Sequence, residues 1–328
     1  MNAMKKEIPN FEPFNDFWYQ SCFTKSLLTV LKNYKVDIYK YILCSFYFYT
    51  MPRMDEPFLF NMQEIRTKDD DELLRDFGVE WHAMETGDSI QSKIIEDIND
   101  GSPIILYIDC FYEKMRRDTY GKKHLTHTIT IYGYDLERRI FNIIEHDYLE
   151  SETYKKREIS FKELEECHRG YKENIDTGYT YFWFNQLESA QEYTQYQEKL
   201  YLEDFITHME TYQESLKCLP PLKHFLQDCS GNGTILSFYN QPLIRSLSEI
   251  SGTKNAIAHV YEKAFGKEHQ LSILARRISD RWYKLKLLSF KSNIVEDERK
   301  SIVFQNVPVY IDEIISLEHE LVDYIRRL

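Results

Sequence analysis

The sequence predicts an α+β protein, with an antiparallel-sheet domain over residues 1–187 and a helical domain over residues 188–328. Three observations carry that expectation. Between Ser102 and Ile144 the apolar residues fall in short runs and alternations, the period of strands. Beyond residue 190 they recur every three or four positions, the period of helices. Gly (11) and Pro (9) are scarce beside Tyr (25) and Phe (20), which suits long helices and well-packed strands rather than a loop-rich scaffold.

In chain order, Ser21 is a helix cap, and Phe23, Leu27, Val30, Leu31 and Tyr34 follow at the spacing of one buried stripe, so Cys22 stands in the first turn. Asp69 to Glu72 reads as a solvated helix start, and Ile90, Ile94, Ile95 and Ile98 mark a short helix that Gly101 can stop. Pro103 to Ile108, Thr128 to Tyr132 and Ile140 to Ile144 are strands, the last two joined as a hairpin around Asp135 to Arg139, and Tyr181 to Phe184 closes the sheet. Residues 191–216 are expected to be helical. Further helices follow Pro220-Pro221, separated at Gly231-Asn232-Gly233, Ser251-Gly252 and Gly266. Two late stripes, from Leu271 to Leu288 and from Ile311 to Leu328, each need a partner surface, whether a bundle, a cover for the first domain or a homodimer.

Composition narrows the function classes. A net charge of −12 argues against a general nucleic-acid binder, and 43% hydrophobic residues over 328 positions make a folded chain with a sizeable core. No run approaches the ~18 apolar residues of a membrane span, and Met1 to Asn10 holds no apolar signal segment, so a cytoplasmic location is expected. The six cysteines (Cys22, Cys44, Cys110, Cys167, Cys218, Cys229) show no metal-type or redox-type close pairing and read as free thiols.

One of them has a chemical setting. A cysteine near a helix start is more often a packed thiol than a reactive one, yet a helix N-terminus also favours the thiolate. If the hairpin turn is the five residues 135–139, Ile131 faces Ile143 and His127 faces Asp147 on one sheet face; a four-residue or six-residue turn would put His146, or Tyr148, there instead. A carboxylate so placed orients an imidazole, and a helix-borne thiol, a strand-borne His and an acid on the next strand make the arrangement of a papain-like thiol enzyme. The backbone N–H of Cys22 and the amide of Gln20 are the candidate oxyanion donors.

The stretch Asp109-x-x-Tyr112, Tyr120-x-x-x-His124-x-x-His127, Gly133-Tyr134-Asp135 and Asp147, with Cys22 ahead of a helix, resembles the butirosin biosynthesis protein H family. The resemblance implies a thiol acyltransferase of papain-like fold in bacterial specialised-metabolite, antibiotic or nonribosomal-peptide, biosynthesis. Cys22 would take an acyl group from an acyl-carrier or peptidyl-carrier protein and pass it to a small-molecule or peptide amine, with His127 as base and Asp147 as its orienter. No metal or resident cofactor is implied, because phosphopantetheine arrives on the carrier. Among the five basic residues of the segment before His127, Arg116, Arg117, Lys122 and Lys123 are the expected docking charge for an acidic carrier.

Two other function classes stand beside this one. The same Cys-His-Asp site can hydrolyse, as a peptidase, amidase or thioesterase, and a papain-like domain can serve as a non-catalytic binding module. A metal site built on His124, His127, His146 and Asp147 is set aside, because residues three apart on a strand point to opposite faces and no His-Glu-x-x-His helix is present.

Overall fold

The computed structural model describes residues 4–17, 21–50, 60–86, 90–148, 151, 153–175, 178–187, 198–231, 233–295 and 305–328. Its elements run β1 (Lys5–Glu7), α1 (Cys22–Asn33), α2 (Ile38–Leu43), β2 (Ser45–Thr50), β3 (Asn61–Arg66), α3 (Asp70–Asp76), β4 (Val79–Met84), α4 (Gln91–Asn99), β5 (Ile104–Asp109) and β6 (Thr126–Asp135). Then come β7 (Ile140–His146), β8 (Tyr154–Ser160), α5 (Phe161–Asn174) and β9 (Tyr181–Gln186), followed by α6 (Glu198–Thr207), α7 (Met209–Ser215), α8 (Leu219–Gly231), α9 (Gly233–Phe265), α10 (Gln270–Ile294) and α11 (Val307–Ile325). The protein is α+β, with an antiparallel sheet and a helical C-terminal region, as the sequence predicts.

Contacts divide the chain into two units: Met1–Ile38 with Asp69–Tyr193, and Tyr39–Lys68 with Thr194–Leu328. The later crossing thus falls at 193/194 rather than 187/188, and residues 39–68 go with the helical part. Their hairpin, β2 paired with β3, has period-two aromatic residues whose rings find partners on the helices: Phe46 stacks on Tyr201 and Phe205, and Phe48 meets Tyr212 edge-on. Pairings of that sequence separation leave no local signature in residues 39–68.

In the first unit a seven-stranded antiparallel sheet runs β4-β9-β5-β6-β7-β8, with β1 added beside the end of β6. Ile104, Leu106, Ile108, Ile129, Ile131, Ile143 and Phe141 form its apolar centre together with Ile94 and Ile98 of α4 and Leu164 of α5. Ser21 caps α1 by accepting the Thr24 N–H at 3.2 Å, and α1 packs against β6 and β5. That helix is buried well beyond one stripe: Lys25 is enclosed, its ammonium donating to Phe17 O at 2.7 Å over the Phe14 ring.

The hairpin differs from expectation in a way that cancels. Asp135 pairs with Ile140, so the turn is 136–139, one residue shorter than expected; a bulge between Ile131 and Gly133 absorbs the extra residue and restores Ile131 opposite Ile143. Gly133 is needed there. A Cβ at that position would stand 2.8 Å from the carbonyl of Lys6 in β1 and 2.9 Å from the Asn142 amide.

In the second unit α9, α10 and α11 pack in series, and Leu271, Leu274, Ile278, Trp282 and Leu285 are buried within the unit, as are Ile311, Ile314, Leu321 and Ile325. Leu328 lies past the end of α11 and is exposed. The break expected at Ser251-Gly252 is absent: both residues lie inside α9, where Leu247, Ile250 and Ala256 are buried and packing overrides the ~1 kcal/mol cost of a helical glycine. A buried polar cluster completes the unit. Glu318 pairs with Lys254 at 2.8 Å and accepts from the hydroxyls of Tyr49 and Tyr212, while the Trp282 indole donates to Tyr49.

Candidate active site

Cys22 opens α1, and its thiol hydrogen-bonds to His127 and Thr128 at the start of β6. Burial alone would raise its pKa, but the hydrogen bond and charge of His127, with the Thr128 hydroxyl and N–H, outweigh burial and hold it below the ordinary thiol value. The other side of the imidazole meets an acid. Nε2 of His127 lies 3.0 Å from both carboxylate oxygens of Glu145, which leaves Nδ1 for the thiol. Burial disfavours the imidazolium, yet Glu145 and the Cys22 thiolate overcome it and push the His127 pKa up to about 10. Burial likewise opposes the Glu145 charge, and His127, His146 and Arg116 pull its pKa below the carboxylate value.

The expected orienter was Asp147, and the structure replaces it with Glu145. The β6–β7 ladder stops at Thr130 opposite Ile144, and β7 itself ends at His146, so Asp147 lies beyond the strand. Its side chain is 38% exposed and pairs with Lys155 and Arg157 across on β8. Glu145 has the same parity as Asp147, two residues earlier, and reaches His127 diagonally on the sheet face the hairpin predicts. Strand parity puts Glu145 and Asp147 alike on the His127 face, and the diagonal contact rather than the directly opposed one selects between them.

Arg116, expected as docking charge, is fully buried and is corrected to an interior residue. Its guanidinium forks onto Asp118 at 3.2 and 3.1 Å and donates Nη1 to Nε2 of His146 at 3.0 Å, 3.9 Å from Glu145. No sequence signal separates this arginine from its exposed neighbours Arg117, Lys122 and Lys123. His146 donates Nδ1–H to Ser151 O, and burial first, aided by His127 and Arg116, lowers its pKa to about 4, so it is neutral. Gln20 lies outside the described residues.

His127, Glu145 and His146 bring three ligand-type atoms within 4.8 Å of one another. As a cation site the set is poor: Arg116 already occupies the free ring nitrogen of His146 and places a second positive charge beside Glu145. His124 is elsewhere, donating to the buried Asp109 at 2.6 Å. Asp109 also accepts the N–H groups of Phe111 and Leu125, closing the loop between β5 and β6.

A thiol with a lowered pKa, an imidazole bonded to it and a carboxylate bonded to that imidazole therefore meet here, an arrangement that can activate a thiol. Residues 41–146 match a family model described as Butirosin biosynthesis protein H, N-terminal, which bears out the resemblance drawn from the sequence. The match takes in His127, Glu145 and Arg116 and ends before Asp147; Cys22 precedes it. No curated protein matches the chain.

Proposed function

We propose that this chain, which resembles the butirosin biosynthesis protein H family over residues 41–146, is a biosynthetic acyltransferase of papain-like type acting through an acyl-S-Cys22 intermediate. The observation that carries the reading is the Cys22–His127–Glu145 series, with the imidazole bonded to thiol on one side and carboxylate on the other. The Cys22 thiolate attacks the carbonyl carbon of a carrier-bound thioester, and the Cys22 N–H, first of α1, faces the developing oxyanion. Collapse breaks the bond to the pantetheine sulfur, which leaves with the proton of the His127 imidazolium. An amine then attacks the acyl-Cys22, His127 takes the amine proton, and the thiolate–imidazolium pair returns.

The donor is an acyl-carrier or peptidyl-carrier thioester, and the exposed Arg117, Lys122 and Lys123 supply the docking charge for its acidic surface. Transfer and hydrolysis differ only in whether amine or water discharges Cys22. The test is peptide mass spectrometry after exposure to a pantetheine thioester. An acyl mass on the Cys22 peptide, discharged faster by added amine than by water, is expected. No adduct, or turnover unchanged in Cys22→Ser, overturns the proposal, and discharge by water alone makes the enzyme a thioesterase or amidase.

A further inference from the structure

We propose that Arg116 is a positioning residue that holds the Glu145 carboxylate in place behind His127. The inference rests on the thiol-enzyme reading above and deepens it. A fully buried guanidinium is costly unless its donors and its charge are answered. The donors of Arg116 divide in a telling way. Nε and Nη2 are spent on the two oxygens of Asp118, which is 27% exposed and so anchors the fork at the protein surface. Nη1 is left to point inward, to His146 at 3.0 Å and Glu145 at 3.9 Å.

The grip on Glu145 is double. Arg116 fixes His146 as the tautomer with Nδ1–H, directed to Ser151 O, and the backbone N–H of that same His146 donates to Oε1 of Glu145 at 2.6 Å. The guanidinium also lies beside that oxygen and favours its charge. A planar fork that answers a carboxylate at one end and an imidazole lone pair at the other is a geometry lysine lacks.

The other titratable groups facing this cluster are Cys22, Cys110, Glu113, His127, His146 and Tyr154. Glu113 is the one that would compete for Arg116. It is fully buried, and neither carboxyl oxygen has a hydrogen-bond partner among the described residues. Burial, then the charge of Glu145, push its pKa well above the carboxylate range, which disfavours its charge, and the donors of Arg116 go to Asp118 and His146 instead.

The test is the rate of Cys22 alkylation by iodoacetamide against pH, resolved by peptide mass spectrometry on the full chain, with circular dichroism to confirm folding. Wild-type Cys22 is expected to react at pH 6. Both Arg116→Met and Arg116→Lys should slow that reaction about tenfold or more, the effect of moving a pKa by one unit. Adding Glu145→Gln to Arg116→Met should then cost little further, since residues acting through one contact are not additive. Folded variants with the wild-type pH profile, or full rescue by lysine, overturn the proposal. If Arg116→Met does not fold, Asp118→Asn loosens the same fork from its exposed end: a slowed pH 6 reaction supports the proposal, and an unchanged profile overturns it. A wild-type Cys22 inert at pH 6 overturns the thiol-enzyme reading and this inference together, whereas a reactive Cys22 indifferent to Arg116 overturns this inference alone.

Discussion

Nε2 of His127 stands 3.0 Å from both oxygens of Glu145, a residue two positions nearer the hairpin turn than the acid directly opposite it would be. The diagonal contact lies within the regular strand, where β7 is still paired to β8 and the carboxylate is enclosed. One residue past the strand end, Asp147 belongs to surface lysine and arginine instead.

Glu145→Gln and Asp147→Asn therefore separate sharply. The first keeps the shape but removes the charge that sustains the imidazolium, and the turnover number should fall by about a hundredfold or more. The second alters a half-exposed surface pair and should leave turnover within about twofold. Steady-state kinetics on both variants checks this; equal losses would restore Asp147 as orienter.

The pH dependence has a definite sign. With His127 raised to about 10 and Cys22 lowered, both shifts favour the thiolate–imidazolium pair over the neutral pair, and activity should decline as His127 deprotonates near pH 10. For stability, the His127 contribution is fully present below its unfolded value of about 6.5 and is lost as pH rises through about 10. The lowered Cys22 works oppositely, contributing above its unfolded value and losing that contribution as pH falls through its folded one. In the Cys22→Ser background the His127 term stands clear of the thiol's titration. There, the melting-temperature advantage over Cys22→Ser/His127→Ala should be larger at pH 6 than at pH 10.

Gly133→Ala should destabilise the first unit by about 1–3 kcal/mol, the usual cost of overpacking. The new Cβ meets backbone, the Lys6 carbonyl, which cannot rotate aside as a side chain can. Urea denaturation followed by tryptophan fluorescence reads the effect, and a shortened chain lacking β1 should tolerate the substitution better.

Glu318→Gln addresses the second unit. Lys254 would keep its buried ammonium, stacked over the Tyr49 ring at 4.5 Å, without the carboxylate that answers it at 2.8 Å. Breaking a buried pair from one side costs about 3–5 kcal/mol. Thermal unfolding should show a clear drop, and replacing both partners, Lys254→Met with Glu318→Leu, should recover much of it.

Local pattern was enough for the parts of this protein that local physics controls. The Ser21 cap with Cys22 in the first turn, the alternation of β6 and β7, and the three-and-four spacing of α10 and α11 follow from hydrogen-bonding chemistry and hydrophobic periodicity, each readable within a dozen residues. Thiol and imidazole could be paired because both sit at the ends of such elements.

Only the tertiary structure decided the acid, the arginine and the division of the chain. Choosing Glu145 over Asp147 depends on where β7 ends and on a bulge that compensates a shortened turn, neither of which side-chain parity can register. Arg116 differs from Arg117 in being buried, with its guanidinium bonded to Asp118 and to His146 on another strand. The hairpin β2–β3 leaves the first unit because its partners are rings more than 150 residues later in the chain. Sequence periodicity records which side of an element is apolar; what that side meets is decided by contacts between segments far apart in the chain.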